Sequence, residues 1–128
     1  MDFLTIAAMQ LISMKSIFYP TIDESMVKIE HNEHGIQSVT YINSKGKKHN
    51  ENYPAVVTYF PSGIKSSETF FNNGKIHRNI LPAIIYYYAD GVVKEELFYK
   101  NGNEVRNAKN PTVICYYPDG AKELELYL

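Results

Sequence analysis

The fold is decided by three stretches that align with one another: PAVVTYFPSG at residues 54–63, PAIIYYYADG at 82–91 and PTVICYYPDG at 111–120. Each begins with a proline, which fixes φ and disfavours a helix before it. The β-branched and aromatic residues that follow favour a strand, and the final glycine can adopt the positive φ of a tight turn. The stretches therefore predict three equivalent strands, each followed by a turn.

The glycines extend this pattern over most of the chain. They form two series, one with steps of 28, 28 and 29 residues and the other with steps of 28 and 28. The members of the two series are Gly35, Gly63, Gly91 and Gly120, and Gly46, Gly74 and Gly102. Because glycine and proline interrupt regular structure more strongly than other residues, this spacing predicts a structural repeat of about 28 residues.

A second segment follows each turn and carries a glutamate in register, at Glu68, Glu96 and Glu125. Asn-Gly, the strongest short hairpin signal, comes next in two of the units. We therefore predict a mainly β fold, an antiparallel meander of β-hairpin repeats. The predicted repeat domain, residues 26–128, divides into units 26–53, 54–81, 82–110 and 111–128.

Residues 1–25 are predicted to form a short amphipathic helix and a connector. Leu4, Ala7, Leu11 and Met14 share one face of such a helix, which could cap the end of the repeat. A signal peptide is disfavoured because Asp2 stands where a positive charge is expected. An interfacial membrane helix is disfavoured because Lys15 is the only basic residue of residues 1–15.

The predicted strands are apolar on both faces. One face, with Ala55, Val57 and Tyr59 and their counterparts in later units, is the predicted core face. The opposite face must be covered by curling of the sheet, by the N-terminal helix or by a partner. The candidate interaction surface combines aromatic residues of this second face with apolar residues of the last strand: Phe60, Tyr86, Tyr88, Tyr117, Leu124 and Leu126.

The stretch from Gly74 to Gly102, which contains GKIHR, PAIIYYYADG and a Glu-x-x-Tyr segment, resembles MORN-type β-hairpin repeats. It is most similar to the divergent variety found in bacterial antitoxin-like proteins and in large DNA viruses. His49 and His77 stand at places comparable to the repeat histidine of that family. The resemblance covers residues 26–128 and implies a scaffold that engages protein partners, dimerises or contacts lipid.

Charge and composition disfavour several other classes. Lys plus Arg is 13 and Asp plus Glu is 14, so the basic excess typical of a nucleic-acid partner is absent. The single cysteine, Cys115, favours a reducing, cytoplasmic compartment, including that of a host cell. No known catalytic, phosphate-binding or dinucleotide-binding motif is present. We therefore predict no catalytic residues, no cofactor and no metal.

The histidines are interpreted structurally. His31 and His34 could hold a metal together with Glu33, but their spacing lacks a helix and a cysteine, and a solvated turn is the preferred interpretation. His49 and His77 recur at one position of the repeat. We expect this position to serve as a hydrogen-bonding turn residue.

Cys115 and the glutamate series are also given structural roles. Cys115 is expected to be a half-buried or core thiol. The glutamates are expected to form a solvated ladder with cross-strand lysine partners. Neither feature predicts a catalytic site.

These features predict a non-enzymatic scaffold for protein–protein interaction, of viral or antitoxin-like origin. A homodimer through the edge strand at residues 123–128, or through the aromatic face, is the self-association that we consider. Two alternatives stay open: a small-ligand or carbohydrate-binding β protein that uses exposed tyrosines, and a peripheral lipid-surface protein. No nucleic-acid partner is expected, and membrane binding is disfavoured.

Overall fold

The structure is a computed structural model that describes residues 15–21 and 24–128. These residues form thirteen β-strands and no helix. The strands are β1 (Lys15–Pro20), β2 (Met26–Asn32), β3 (Gly35–Ile42), β4 (Val56–Tyr59), β5 (Lys65–Thr69), β6 (Phe71–Asn72), β7 (Lys75–Ile76), β8 (Ile84–Tyr87), β9 (Val93–Leu97), β10 (Tyr99–Lys100), β11 (Asn103–Glu104), β12 (Val113–Tyr116) and β13 (Lys122–Leu126).

Nine strands form one antiparallel sheet in the order β1-β2-β3-β4-β5-β8-β9-β12-β13. The prediction of a mainly β, antiparallel fold is therefore confirmed. The remaining four strands pair as β6–β7 and β10–β11, outside the main sheet. These small hairpins turn at Asn-Gly pairs with positive φ, 47° and 87° at Asn73 and Gly74, and 50° and 85° at Asn101 and Gly102.

Backbone hydrogen bonds link each small hairpin to the segment one unit before it. Gly74 donates its N–H to the Lys48 carbonyl at 2.8 Å, and 28 residues later Gly102 donates to the Ile76 carbonyl at the same distance. The sequence predicted one continuous meander. The structure instead divides the strands between the main sheet and a second row of small hairpins.

His49 and His77 each bond to the turn of the small hairpin in the next unit. The Nδ1 atom of His49 accepts the backbone N–H of Asn73 at 3.1 Å. The Nδ1 atom of His77 accepts the backbone N–H of Asn101 at 3.0 Å. The predicted hydrogen-bonding role of the recurrent histidine is confirmed, but its predicted place in a turn is not: each histidine lies outside a turn and bonds to the turn of the next hairpin.

The two faces of the main sheet differ in burial. We call the side that carries Val57, Ile85 and Ile114 the inner face, and the side that carries Thr58, Tyr86 and Cys115 the outer face. The buried residues of the inner face are Ala55 (0% exposed), Val57 (7%), Phe70 (9%), Ala83 (0%), Thr112 (1%) and Ile114 (7%). The inner face is therefore the main core, as predicted.

One buried residue departs from the predicted core face. Ile84 lies on the outer face yet is only 8% exposed. It lies directly opposite Thr69 on one neighbouring strand and Leu97 on the other. The side chains of these two neighbours flank Ile84 and account for its burial, so the core is not confined to one side of the sheet.

The predicted N-terminal helix, residues 1–15, lies outside the described residues except for Lys15. Residues 15–20 were predicted as the end of this helix and part of the connector; that prediction is wrong, because they form β1, which pairs with β2 from Lys15↔His31 to Pro20↔Met26. Within the described part of the chain, no helix is long and apolar enough to cross a membrane.

Candidate functional site

The six candidate interaction residues belong to the outer face, by strand alternation and by their pairing. Four of them are exposed: Tyr86 (42%), Tyr117 (48%), Leu124 (46%) and Leu126 (39%). Phe60 and Tyr88 are half-buried. Phe60 and Tyr86 line a shallow cleft of about 430 Å³ on this face.

Tyr88 has a structural bond that sets it apart from the exposed candidates. Its hydroxyl donates to the backbone carbonyl of Tyr116 at 2.6 Å. The Lys94 ammonium lies 5.8 Å from the centre of its ring. Tyr88 therefore links one unit to the next, and a partner could contact it only at the exposed part of its ring.

Strand β13 is the edge of the sheet on this side of the described residues, and it pairs only with β12. Leu126 lies opposite Val113 and Leu124 lies opposite Cys115. The unpaired side of such a strand presents backbone N–H and C=O groups that can accept another strand. The exposed leucines flank this edge on the outer face.

The edge of β13 repeats a surface that is already paired inside the molecule. In β9, Leu97 lies opposite Val113 of β12, and Glu96 lies opposite Ile114. Glu125 and Leu126 hold the corresponding places in β13, 29 residues later. The outer edge of β13 thus resembles the edge on which β9 receives β12.

The glutamate series forms links between units on the inner face. The Tyr87 hydroxyl donates to Oε1 of Glu68, and the Tyr116 hydroxyl donates to Oε1 of Glu96. In both cases the tyrosine lies two residues beyond the aliphatic residue that faces the glutamate. The side chain of Glu68 is only 13% exposed.

The prediction of a solvated glutamate ladder with cross-strand lysine partners is wrong. The Nζ atom of Lys65 lies 3.5 Å from Oε2 of Glu68, but both residues are in β5. The Nζ atom of Lys122 lies 2.6 Å from Oε1 of Glu125, and both residues are in β13. The cross-strand partner is a tyrosine. The long tyrosine side chain reaches diagonally to the neighbouring strand, a distance accessible to aromatic residues in a sheet.

Arg78 completes the charge distribution around these links. The guanidinium carbon lies 3.8 Å from the centre of the Phe70 ring, and Nη1 donates to the Pro82 carbonyl at 3.2 Å. Burial lowers the pKa of Arg78, while the nearby charges of Glu68 and Glu96 raise it. The Arg78 cation therefore lies over the core, where its positive charge partly balances the negative charges of Glu68 and Glu96.

The tyrosine links predict a specific loss of stability in alkali. Burial and the bond to Glu96 raise the pKa of Tyr116 from 10.0 to about 12, and burial and Glu68 also raise that of Tyr87. Because the folded state holds these protons more tightly, their contribution is complete below about pH 10 and is lost as the pH rises toward 12. Urea unfolding across this range should show a shallower decline for Tyr87→Phe/Tyr116→Phe than for the unsubstituted chain. Equal slopes would contradict the assignment.

Glu125, the last member of the series, is bonded differently. It accepts from Lys122 at 2.6 Å and from Tyr127 at 2.8 Å, all within residues 122–127. Both bonds lower the pKa of the Glu125 carboxyl. Among the described residues, no tyrosine of another strand donates to it.

The remaining titratable candidates lie apart from this surface. His34 is exposed in the turn after β2, with Nε2 3.5 Å from Oε1 of Glu33, whereas His31 is half-buried in β2. The described residues contain no group of three or more His, Cys, Asp or Glu that could hold a metal ion. Cys115 is half-buried on the outer face, as predicted, and burial raises the pKa of its thiol.

Three tyrosines meet in a cleft on the inner face, and the sequence predicted only one of them, Tyr59, for this face. They are Tyr41, Tyr53 and Tyr59, which line a cleft of about 480 Å³ together with Val57, Lys65 and Glu68. Their meeting depends on strand register and on the loop before Pro54. The one sequence signal is that Tyr59 holds the repeat position of Tyr87 and Tyr116.

Comparison with known proteins gives no match: neither a protein-family model, nor a curated protein, nor a solved structure is similar to this chain. The resemblance to MORN-like repeats stays a prediction.

Proposed function

We propose that this protein is a non-enzymatic, intracellular interaction module that binds an extended strand of a protein partner along the outer edge of β13. The observation that carries the proposal is the pairing of β9 with β12. There, Glu96 and Leu97 receive a strand with Ile114 and Val113 opposite them. Glu125 and Leu126 offer the same pair of side chains at an edge that is open among the described residues.

The internal pairs specify what the partner strand should carry. An apolar residue would lie opposite Leu126, as Val113 lies opposite Leu97, and an aliphatic residue would lie opposite Glu125. A tyrosine two residues after the aliphatic position would donate to Glu125, in the way that Tyr116 donates to Glu96. Backbone hydrogen bonds would supply affinity, and these side chains specificity.

A second copy of the chain fits this edge less well than a different partner does. Because neighbouring strands of the nine-stranded sheet are antiparallel, β1 and β13 run in the same direction. If the β1 strand of a second copy joined β13, with the inner faces of both copies on the same side, the two strands would be parallel. An added β13 would run antiparallel, but its inner-face residues are Lys122, Glu125 and Tyr127. None is aliphatic, and the partner strand is therefore assigned to another protein.

The resemblance to MORN-like repeats supports the same role, because that family is associated with scaffolding. We therefore propose that the protein is a MORN-like scaffold of antitoxin-like or viral kind, in which the β-units form a rigid support for the binding edge. The exposed Tyr86 and Tyr117 on the outer face would widen the contact, since tyrosine is enriched at protein interfaces.

A peptide titration tests the proposed strand addition. The probe is a synthetic peptide of residues 111–117 with serine in place of Cys115, because this segment is the strand that β9 receives. We expect its addition to shift the backbone amide resonances of residues 122–126, measured in ¹⁵N-labelled protein. Leu126→Lys should weaken binding by about tenfold or more, because it removes the apolar contact on the outer face.

Ile36→Lys is the matched control, since Ile36 is 48% exposed and lies in β3, away from β13. It should leave peptide binding unchanged. Absence of shifts in β13, or equal weakening by both substitutions, refutes the proposal. A dimer in light scattering that Leu126→Lys dissociates would identify a second copy as the occupant and refute the assignment to another protein.

A further inference from the structure

The repeat breaks on the inner face at the junction of β3 and β4. Val39 lies opposite Val57, whereas Glu68 lies opposite Ile85 and Glu96 lies opposite Ile114. Tyr59 lies two residues after Val57, as Tyr87 follows Ile85. On the preceding strand, a valine therefore holds the place diagonal to Tyr59 that a carboxylate holds for Tyr87 and Tyr116.

Within the described part of the chain, this exchange removes the acceptor that the Tyr59 hydroxyl would otherwise have on the preceding strand. Among the described residues, neither Tyr59 nor its neighbours Tyr41 and Tyr53 make a side-chain hydrogen bond, unlike Tyr87 and Tyr116. Tyr41 and Tyr59 are half-buried, and Tyr53 is 69% exposed. Polar groups at the wall of a concave site without protein partners are available to hydrogen-bond a ligand.

The cleft that these tyrosines line has the size and composition of a small-molecule site. Its volume of about 480 Å³ is within the usual range for ligand pockets. The buried side chain of Val57 is part of its apolar lining.

The charges in the cleft define the class of ligand. Lys65 and Glu68 have opposite charges and lie 3.5 Å apart, so the cleft attracts neither an anion nor a cation strongly. A purely apolar ligand would remove the tyrosine hydroxyls, the ammonium and the carboxylate from water without replacing their hydrogen bonds. Aromatic rings and hydrogen-bonding groups together suit a neutral ring that is apolar on its faces and rich in hydroxyl groups.

We propose that the tyrosine cleft binds a neutral saccharide unit. One face of the sugar ring packs against the exposed ring of Tyr53, and its hydroxyl groups bond to the hydroxyls of Tyr41 and Tyr59 and to the Lys65–Glu68 pair. This site lies on the inner face, separate from the β13 edge.

The test is an NMR titration of the ¹⁵N-labelled chain with four separate sugars: glucose, galactose, mannose and N-acetylglucosamine. At least one should shift the backbone amide resonances of residues 41, 53 and 59. Tyr53→Ala should weaken that binding about tenfold, because it removes a stacking surface. Tyr59→Phe should also weaken it, by the loss of one hydroxyl group.

The matched control is Leu81→Ala, because Leu81 occupies the position of Tyr53 in the next unit and is 52% exposed. It should leave binding unchanged. Tyr53 is a surface residue, so its replacement should not unfold the chain. Failure of all four sugars to shift the cleft resonances overturns the proposal. So does binding that Tyr53→Ala and Tyr59→Phe leave intact, or stronger shifts with inorganic phosphate than with any sugar.

Discussion

Replacing Phe70 with alanine is expected to lower the free energy of unfolding by about 3–5 kcal/mol. Phe70 is 9% exposed, its backbone N–H donates to the Ala83 carbonyl at 2.8 Å, and the Arg78 guanidinium stacks 3.8 Å from the ring centre. Alanine would leave a cavity on the inner face and would take away the ring on which the cation rests. Urea unfolding followed by circular dichroism measures the loss.

Phe71→Ala is the matched control for this substitution. Phe71 is the next residue, half-buried in β6, with the Lys48 ammonium 5.3 Å from its ring centre. Its removal should cost less than half as much as the removal of Phe70, because solvent already reaches the ring. Equal losses for the two phenylalanines would show that Phe70 does not belong to the core.

The regular part of the fold was predictable because it depends on local chemistry. A glycine with positive φ follows each first strand, at Gly63, Gly91 and Gly120, and these positions could be recognised from spacing alone. Alternation then assigned Ala55 and Ala83 to the buried face, and both are fully buried. Turn residues and strand period act over a few residues, so the sequence displays them directly.

The links between units were not predictable in the same way. Glu68 and Tyr87 are 19 residues apart, and their contact depends on the register of β5 against β8. The lysine three residues before the glutamate is the more conspicuous partner in the sequence, yet Lys65 is 50% exposed and lies 3.5 Å away. Register follows from the sum of many pairings, which single residue types do not indicate.

The candidate site shows the same division between local and long-range features. Four of the six predicted interaction residues are exposed on one face, because strand alternation places them there. The half-burial of Phe60 and Tyr88 depends on neighbouring units, and so does the bond from Tyr88 to the Tyr116 carbonyl. The tyrosine cleft depends on the register that places Val39 opposite Val57, and no local pattern in the sequence indicates that register.

Tyr116→Phe is expected to lower the free energy of unfolding by about 1.5–3 kcal/mol at neutral pH, the usual contribution of a hydrogen bond to a charged group. The substitution keeps the ring and removes only the hydroxyl that donates to Glu96. The half-buried carboxylate would then lack its cross-strand donor. Urea unfolding of the single variants, and of the Tyr116→Phe/Glu96→Gln pair, would measure the coupling between the two side chains.

Tyr117→Phe separates the effect of this bond from that of losing any tyrosine hydroxyl. Tyr117 is the adjacent residue, is 48% exposed and lies on the opposite face, so its substitution should change stability by no more than about 0.5 kcal/mol. If the effects of Tyr116→Phe and Glu96→Gln simply add, the two side chains are not coupled. Strong coupling would instead mean that the repeat is held together by bonds between units as well as by its apolar rows. A partner strand with tyrosine at the matching position would then use, on Glu125, a contact that the chain already forms twice within itself.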